Sequence, residues 1–214
     1  VVLNLAGSQQ LASQLAMGAE ADVFASADER WMDVVQGKGL LAGEPAVFAH
    51  NTVVLIVPRT NPARITKLQD LAKRGVKLAL ALESVPVGRY SRESLALLAK
   101  LPGYTPDFAA RVLANGVTEE ENVKAVATKV QLAEVDAGFV YASDVTGSLA
   151  RYVRVLELPQ AARVPATYPI AITKASRNAA LAQAFVDLVR SAEGQRVLTS
   201  HGLLPAETAT PAAR

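Results

Sequence analysis

The 214-residue chain contains no cysteine. Disulfide frameworks, Cys-ligated zinc and thiol nucleophiles are therefore excluded together, while the redox compartment is left open. Long apolar runs are missing as well: the most apolar stretches, residues 53–57 and 78–82, fall far short of the roughly eighteen residues that cross a bilayer. Neither sign of charge dominates, with 22 Lys+Arg against 20 Asp+Glu, so this is neither a disordered polyelectrolyte nor a protein built around a basic nucleic-acid face. The patterns G-x-G-x-x-G, G-x-x-x-x-G-K-[ST] and G-x-S-x-G are absent, and with them the usual nucleotide sites and the nucleophile elbow. His50 and His201, the two histidines, stand far apart with no neighbouring serine and acidic pattern. No acid–base or nucleophile–base pair can be read from the chain, and an enzyme is not expected.

What is present is an alternation. Half of the residues are apolar, and the length suits one large domain or two small lobes. Short β-branched or Leu/Ala-rich runs lead through small or hydroxyl residues into segments with helical spacing, which predicts an α/β fold with largely parallel strands. Strands are expected at residues 1–5, 22–25, 53–57, 76–82 and 136–141. Helices are expected at 9–17, at 28–36, as a short capped turn bracketed by Thr66, Gln69 and Gly75, and around Leu95 and Leu98. Val123, Val126, Ala127 and Val130 mark one face of another helix, and Leu181, Ala184, Phe185 and Leu188 the apolar face of a later one. Residues 193–200 read as a last helix stopped by Gly202, and 206–214 as a frayed tail. The start at Val1, with no basic and apolar leader, reads as a processed or truncated terminus.

Three strand-to-helix junctions carry small or hydroxyl residues and no lysine or arginine in the turn: Gly7-Ser8-Gln9, Val85-Pro86-Val87-Gly88 and Glu121-Asn122-Val123. Converging helix N-termini offer N–H donors and partial positive charge, and can hold a small oxyanion without a cationic side chain. Each junction also has an ordinary reading. Ser8 is a favoured helix cap, residues 85–88 could be a plain β-to-α turn, and Thr118 with Glu121 could start the third helix early as a capping box, in place of a start at Asn122. Tyr141, at a strand end before Ser143 and Asp144, could donate its hydroxyl or pack as a half-buried core residue. Glu119, Glu120 and Glu121 read as a solvated acidic run at a helix start, and Trp31 beside Met32 as packing. Arg59, Arg64, Lys67, Lys73, Arg74 and Lys77 form a basic stretch, either a solvated face or a docking surface.

Read together, Ala6-Gly7-Ser8, the run Ala21-Asp22-Val23-Phe24-Ala25-Ser26-Ala27-Asp28, Trp31-Met32, the segment from Val85 to Tyr90 and the segment from Gly138 to Asp144 resemble the periplasmic molybdate-binding proteins that feed an ABC transporter. Tyr168-Pro169 and the segment from Ser191 to Gln195 are similar to that family's closing strand and final helix. The resemblance implies a type II periplasmic-binding fold, two α/β lobes around a ligand cleft, with residues 1–48 and 144–214 in the first lobe and 49–143 in the second. It implies that Ser8 donates its hydroxyl and N–H, Val87 and Val123 their N–H groups and Tyr141 its hydroxyl to molybdate or tungstate. Molybdenum then arrives as an oxyanion, with no resident cofactor and no metal ligand. A membrane permease is the implied partner, the protein a monomer, periplasmic or lipid-anchored, with no role for nucleic acid.

The chain departs from the family in three places. The family's additional first strand and helix, with another ligand serine, has no counterpart here; Gln9 and Gln10 stand where serines are common; and Val87 replaces a smaller residue. Two rival readings use the same features: a receptor for another tetrahedral oxyanion such as sulfate, and the oxyanion-sensing domain of a transcription regulator, which would carry a helix-turn-helix segment.

Overall fold

The computed structural model describes residues 1–206. Its helices are α1 (Ser8–Ala16), α2 (Glu29–Gly37), α3 (Pro86–Leu98), α4 (Phe108–Leu113), α5 (Val123–Gln131), α6 (Leu149–Tyr152), α7 (Ala179–Arg190) and α8 (Ala192–Ser200). The strands are β1 (Val23–Ala25), β2 (Ala46–Asn51), β3 (Val53–Pro58), β4 (Leu78–Ala81), β5 (Gly116–Glu120), β6 (Ala137–Tyr141), β7 (Val153–Leu156), β8 (Ala166–Ile172) and β9 (Leu204–Pro205). They form two sheets, of order β5-β4-β6-β3-β7 and β1-β8-β2-β9. The fold is mixed α/β rather than largely parallel. β4 runs parallel to β5 and β6, but β3 is antiparallel to both β6 and β7, and β1–β8 and β2–β9 are antiparallel as well.

The chain forms two compact units, Val1–Gln9 with Thr52–Ala166, and Gln10–Asn51 with the chain from Thr167 onward. This division differs from the expected one, which gave residues 1–9 and 144–166 to the first lobe and 49–51 to the second. For residues 144–166 the reason is a ladder: β7 pairs with β3 from Leu55↔Leu156 to Pro58↔Val153, so it completes the five-stranded sheet. β3 itself lies inside that sheet with all six residues buried, which explains an unbroken apolar run instead of an alternating one. β6 also needs a special residue. A Cβ on Gly138 would come within 2.7 Å of Val126 and 2.9 Å of Val130, so the missing side chain lets α5 lie directly on the strand. The second unit has its own core, in which Ala12, Leu15, Phe24, Met32, Val35, Leu41 and Ala171 are buried, with Trp31 packed against them as read from the sequence.

Three further expectations change. Residues 1–5 form no strand: none of the described strands pairs with them, and Val1 and Val2 are exposed, and a strand without a ladder partner has no cause to persist. In α7, Ala182 and Val186 are buried while Leu181 and Leu188 are exposed. Nine of the twelve residues of that helix are apolar, so two overlapping rows fit the helical period and packing chooses between them. The short turn after Thr66 is a 3-10 helix, Leu68–Ala72, with Lys67 at its N-cap, and the side chain that accepts back from the cap is that of Asp70 rather than Gln69. The expected tail lies outside the described residues beyond Ala206.

Asp70 is buried and accepts the Thr66 N–H at 2.8 Å and the Lys67 N–H at 3.1 Å, with the Lys73 ammonium at 2.9 Å. Burial alone would raise its pKa, but these donors outweigh it and hold the carboxyl at about 2 instead of 3.8. The folded state therefore favours the ionised form, and the stabilisation is present above pH 3.8 and lost as the pH falls through about 2. Asp70→Asn is expected to cost about 1–3 kcal/mol at neutral pH. In urea unfolding, that deficit should shrink steadily as the pH is lowered through this window.

Candidate functional site

The five-stranded sheet puts three of the sequence-predicted positions at one edge. In the parallel pairing of β4 with β5, Ala81 lies opposite Glu120, so both strands end together. Leu78 and Ala79 of β4 face Ala137 and Gly138 of β6, which brings the end of β6 to the same side. Val87 follows β4, Val123 follows β5 and Tyr141 ends β6. All three thus stand at the carboxyl ends of adjacent parallel strands, the side on which open α/β sheets bind ligands.

The first turn of α3 is pressed onto the end of β4. A Cβ on Gly88 would lie 2.1 Å from the Leu82 carbonyl oxygen and 2.5 Å from that of Ala81, so only glycine permits this approach. Arg92 closes the contact from below, with one guanidinium nitrogen donating to the Ala81 carbonyl at 2.8 Å and the Gly88 carbonyl at 2.9 Å. Its other terminal nitrogen reaches Glu119 of β5 at 2.6 Å. Val85 is the helix cap, with extended backbone and no side-chain cap bond, and Pro86 takes the first helical position. The Val87 N–H therefore belongs to the first turn, where no carbonyl four residues back within the helix can accept it. The Val87 side chain is buried, so its larger size is taken up by the core.

At the third junction the two possible helix starts are resolved. Asn122 is the cap: its backbone is extended and its Oδ1 accepts the Ala125 N–H at 2.9 Å. Thr118 lies in β5 and bonds Glu120, so it caps nothing. Val123 becomes the first residue of α5, with its N–H at the helix mouth. The acidic run is not a solvated helix start either, since Glu119 and Glu120 are strand residues paired with Arg92 and Lys129. Burial alone would raise Glu120, but the Thr118 hydroxyl and the Lys129 ammonium outweigh it and lower its pKa. The six residues of the basic stretch are all exposed, as both of its readings require.

Tyr141 is buried, opposite Val53 at the start of β3. Its N–H donates to the Asp144 carboxylate at 2.9 Å, and the Ala142 N–H to the Thr52 carbonyl at 2.9 Å, so the turn after β6 is fixed on both sides. Ser8, buried, is the first residue of α1. It belongs to the same compact unit as the other three positions, not to a different one. Sequence reasoning missed Gln9, whose side-chain amide donates to the Glu121 carbonyl at 2.8 Å and so brings the Ser8 turn to the third junction. It also missed Arg92, for which the only signal was a basic residue one helical turn after Gly88. Among the described residues, no group of three His, Cys, Asp or Glu side chains could hold a metal ion, and no helix is long and apolar enough to cross a membrane.

Comparison with known proteins bears on the family and the fold. Residues 1–204 match the family described as bacterial extracellular solute-binding protein. The molybdate-binding protein ModA of Mycobacterium tuberculosis is 41% identical over 197 residues, which cover 92% of this chain and 70% of that one. Among solved structures, the periplasmic molybdate-binding protein of Azotobacter vinelandii superposes with a TM-score of 0.81 at 21% identity, covering 97% of this chain and 88% of the other. The sulfate-binding protein SubI of M. tuberculosis does so with a TM-score of 0.83 at 16% identity, covering 95% and 75%. The two structures show that the fold is that of periplasmic binding proteins.

Asp144 gives this edge a pH signature. Burial pushes its carboxyl up to about 6 from 3.8, against the lowering effect of the Tyr141 N–H. The folded state holds this proton more tightly than the unfolded chain does, so the contribution is full below pH 3.8 and is lost as the pH rises through about 6. Asp144→Asn keeps an acceptor for the Tyr141 N–H and removes the half-buried charge. The variant should match the parent protein at acid pH and exceed it at pH 8 by on the order of 2–3 kcal/mol, read from urea unfolding at each pH.

Proposed function

Because the chain belongs to the bacterial extracellular solute-binding proteins, we propose that it binds molybdate as a tetrahedral oxyanion, takes tungstate in the same way, and delivers the anion to an ABC transporter permease outside the cytoplasm. The observation that carries this reading is the common strand-end edge to which Val87, Val123 and Tyr141 belong, in a chain 41% identical to a protein named as molybdate-binding. The Ser8 and Tyr141 hydroxyls and the Ser8, Val87 and Val123 N–H groups are the proposed donors. All of them are neutral, and a fully ionised anion accepts from each, whereas a protonated species would turn one of its own O–H groups toward a donor. The partial positive charge of the α3 and α5 N-termini supplies the electrostatic attraction. The two compact units act as the two lobes of a monomeric receptor, periplasmic or lipid-anchored, and no bond of the anion is made or broken. Sulfate presents the same charge and the same number of acceptors, so discrimination against it rests on how far apart the donors are held.

Thermal unfolding with molybdate, tungstate, sulfate and phosphate, each at the same excess, tests the reading. At about a hundred times its dissociation constant a ligand of the folded state adds about 2.7 kcal/mol, enough to raise the midpoint by several degrees. A shift with molybdate and tungstate alone is the expected result. A shift with sulfate alone would reassign the ligand, and no shift with any of the four would overturn the reading. Ser8→Ala should weaken molybdate binding about tenfold to a hundredfold in a calorimetric titration, the loss of one hydrogen bond to a charged acceptor.

A further inference from the structure

We propose that Gln9 is the positioning residue that sets the distance between the oxyanion donors, an inference that rests on the molybdate reading above. Its side-chain amide ties two segments that are far apart in the sequence. Nε2 donates to the Glu121 carbonyl at 2.8 Å, and that carbonyl belongs to the peptide leading into Asn122, the cap of α5. On the far side of the cap, Asn122 Oδ1 holds the Ala125 N–H. The Val123 N–H lies between these two fixed points. Ser8 directly precedes Gln9 in the first turn of α1, so its hydroxyl and N–H ride on the same rigid piece of chain.

The amide has a built seat. A Cβ on Gly7 would lie 2.5 Å from Gln9 Oε1, 2.6 Å from Nε2 and 2.9 Å from Cδ, so the space a side chain would fill is the space the amide occupies. Any residue other than glycine at position 7 displaces the amide from Glu121. Gly7 and Gln9 therefore work as one device, and the departure from a run of serines at Gln9 acquires a purpose. Hydrogen-bond donors distinguish tetrahedral anions of different radius only when they cannot move together around the smaller one. The Gln9 brace opposes that movement between the Ser8 turn and the α5 mouth.

The test compares the parent protein, Gln9→Met, Gly7→Ala and the double variant by calorimetric titration with molybdate and with sulfate, alongside the ligand-free thermal midpoint of each. Methionine keeps the length and volume of glutamine and removes the donor, so packing is retained. Gln9→Met is expected to weaken molybdate about fivefold to tenfold, the loss of one neutral hydrogen bond, to weaken sulfate less, and to leave the ligand-free midpoint little changed. Gly7→Ala should act in the same direction, and the double variant should bind no worse than the weaker single one, because both changes remove the same contact. Parent-like affinity and selectivity in Gln9→Met would overturn the proposal. So would additive losses in the double variant, or equal losses for both anions in step with a lowered midpoint. Titration of the parent protein separates the two levels: if it binds neither anion, the molybdate reading fails first and the role of Gln9 fails with it.

Discussion

The contact on which the candidate site depends is the main-chain approach of α3 to the end of β4. With the Leu82 carbonyl oxygen 2.1 Å from where a Gly88 Cβ would stand, helix and strand touch backbone to backbone. Three consequences follow from this one approach. Val87 is held in a first turn, where its N–H has no acceptor within the helix, and Pro86 fits the first helical position because its missing N–H is not needed there. Arg92, one turn along, comes within reach of the Ala81 and Gly88 carbonyls and of Glu119, so β4, α3 and β5 are joined by a single guanidinium. The planar fork of arginine serves this purpose where the single ammonium of lysine could not.

The charges around the junctions are mostly spent on one another. Arg92 meets Glu119, Lys129 meets Glu120, and Arg89, in the first turn of α3, meets Glu93 at 2.6 Å while stacking over the Tyr90 ring. Such pairs contribute modestly to stability where they are exposed. Their structural effect is larger, because they hold the strand ends and helix starts without aiming a full positive charge at the edge. What remains there is the weaker field of the helix N-termini, and Asp144, whose carboxyl is disfavoured as an anion by its own burial.

Sequence reasoning reached the α/β class, most helices and the positions at the strand ends, because β-branched runs, capping residues and the 3.6-residue period are local signals. It did not reach the mixed topology. Whether β3 pairs parallel or antiparallel depends on β6 and β7, roughly a hundred residues away, and nothing within residues 53–57 encodes the choice. The same limit explains α7, where a mostly apolar helix left its buried face to tertiary packing, and residues 1–5, where strand propensity had no neighbour to pair with. Ser8, Val87 and Val123 were legible as helix-start positions, and Tyr141 as a strand end, through a pattern of turns. Gln9 was not, because its bond to Glu121 links two loops that only the fold brings together. Gly88 was legible as a glycine, but the reason for it is the carbonyl it faces and not the conformation of its own backbone.

The second unit is discontinuous: β1 pairs with β8 through Val23↔Ile172, across the whole of residues 52–166. In a chain made from its N-terminus, Gln10–Asn51 has no sheet to join until β8 has emerged. The five-stranded sheet, whose strands all lie within residues 53–156, can close before that. Loop closure is least costly when the intervening chain is already compact. The order of events is therefore written into the connectivity: residues 53–156 fold as an insert, and by bringing their own ends together they convert a strand pair far apart in the sequence, β1 with β8, into a short-range one.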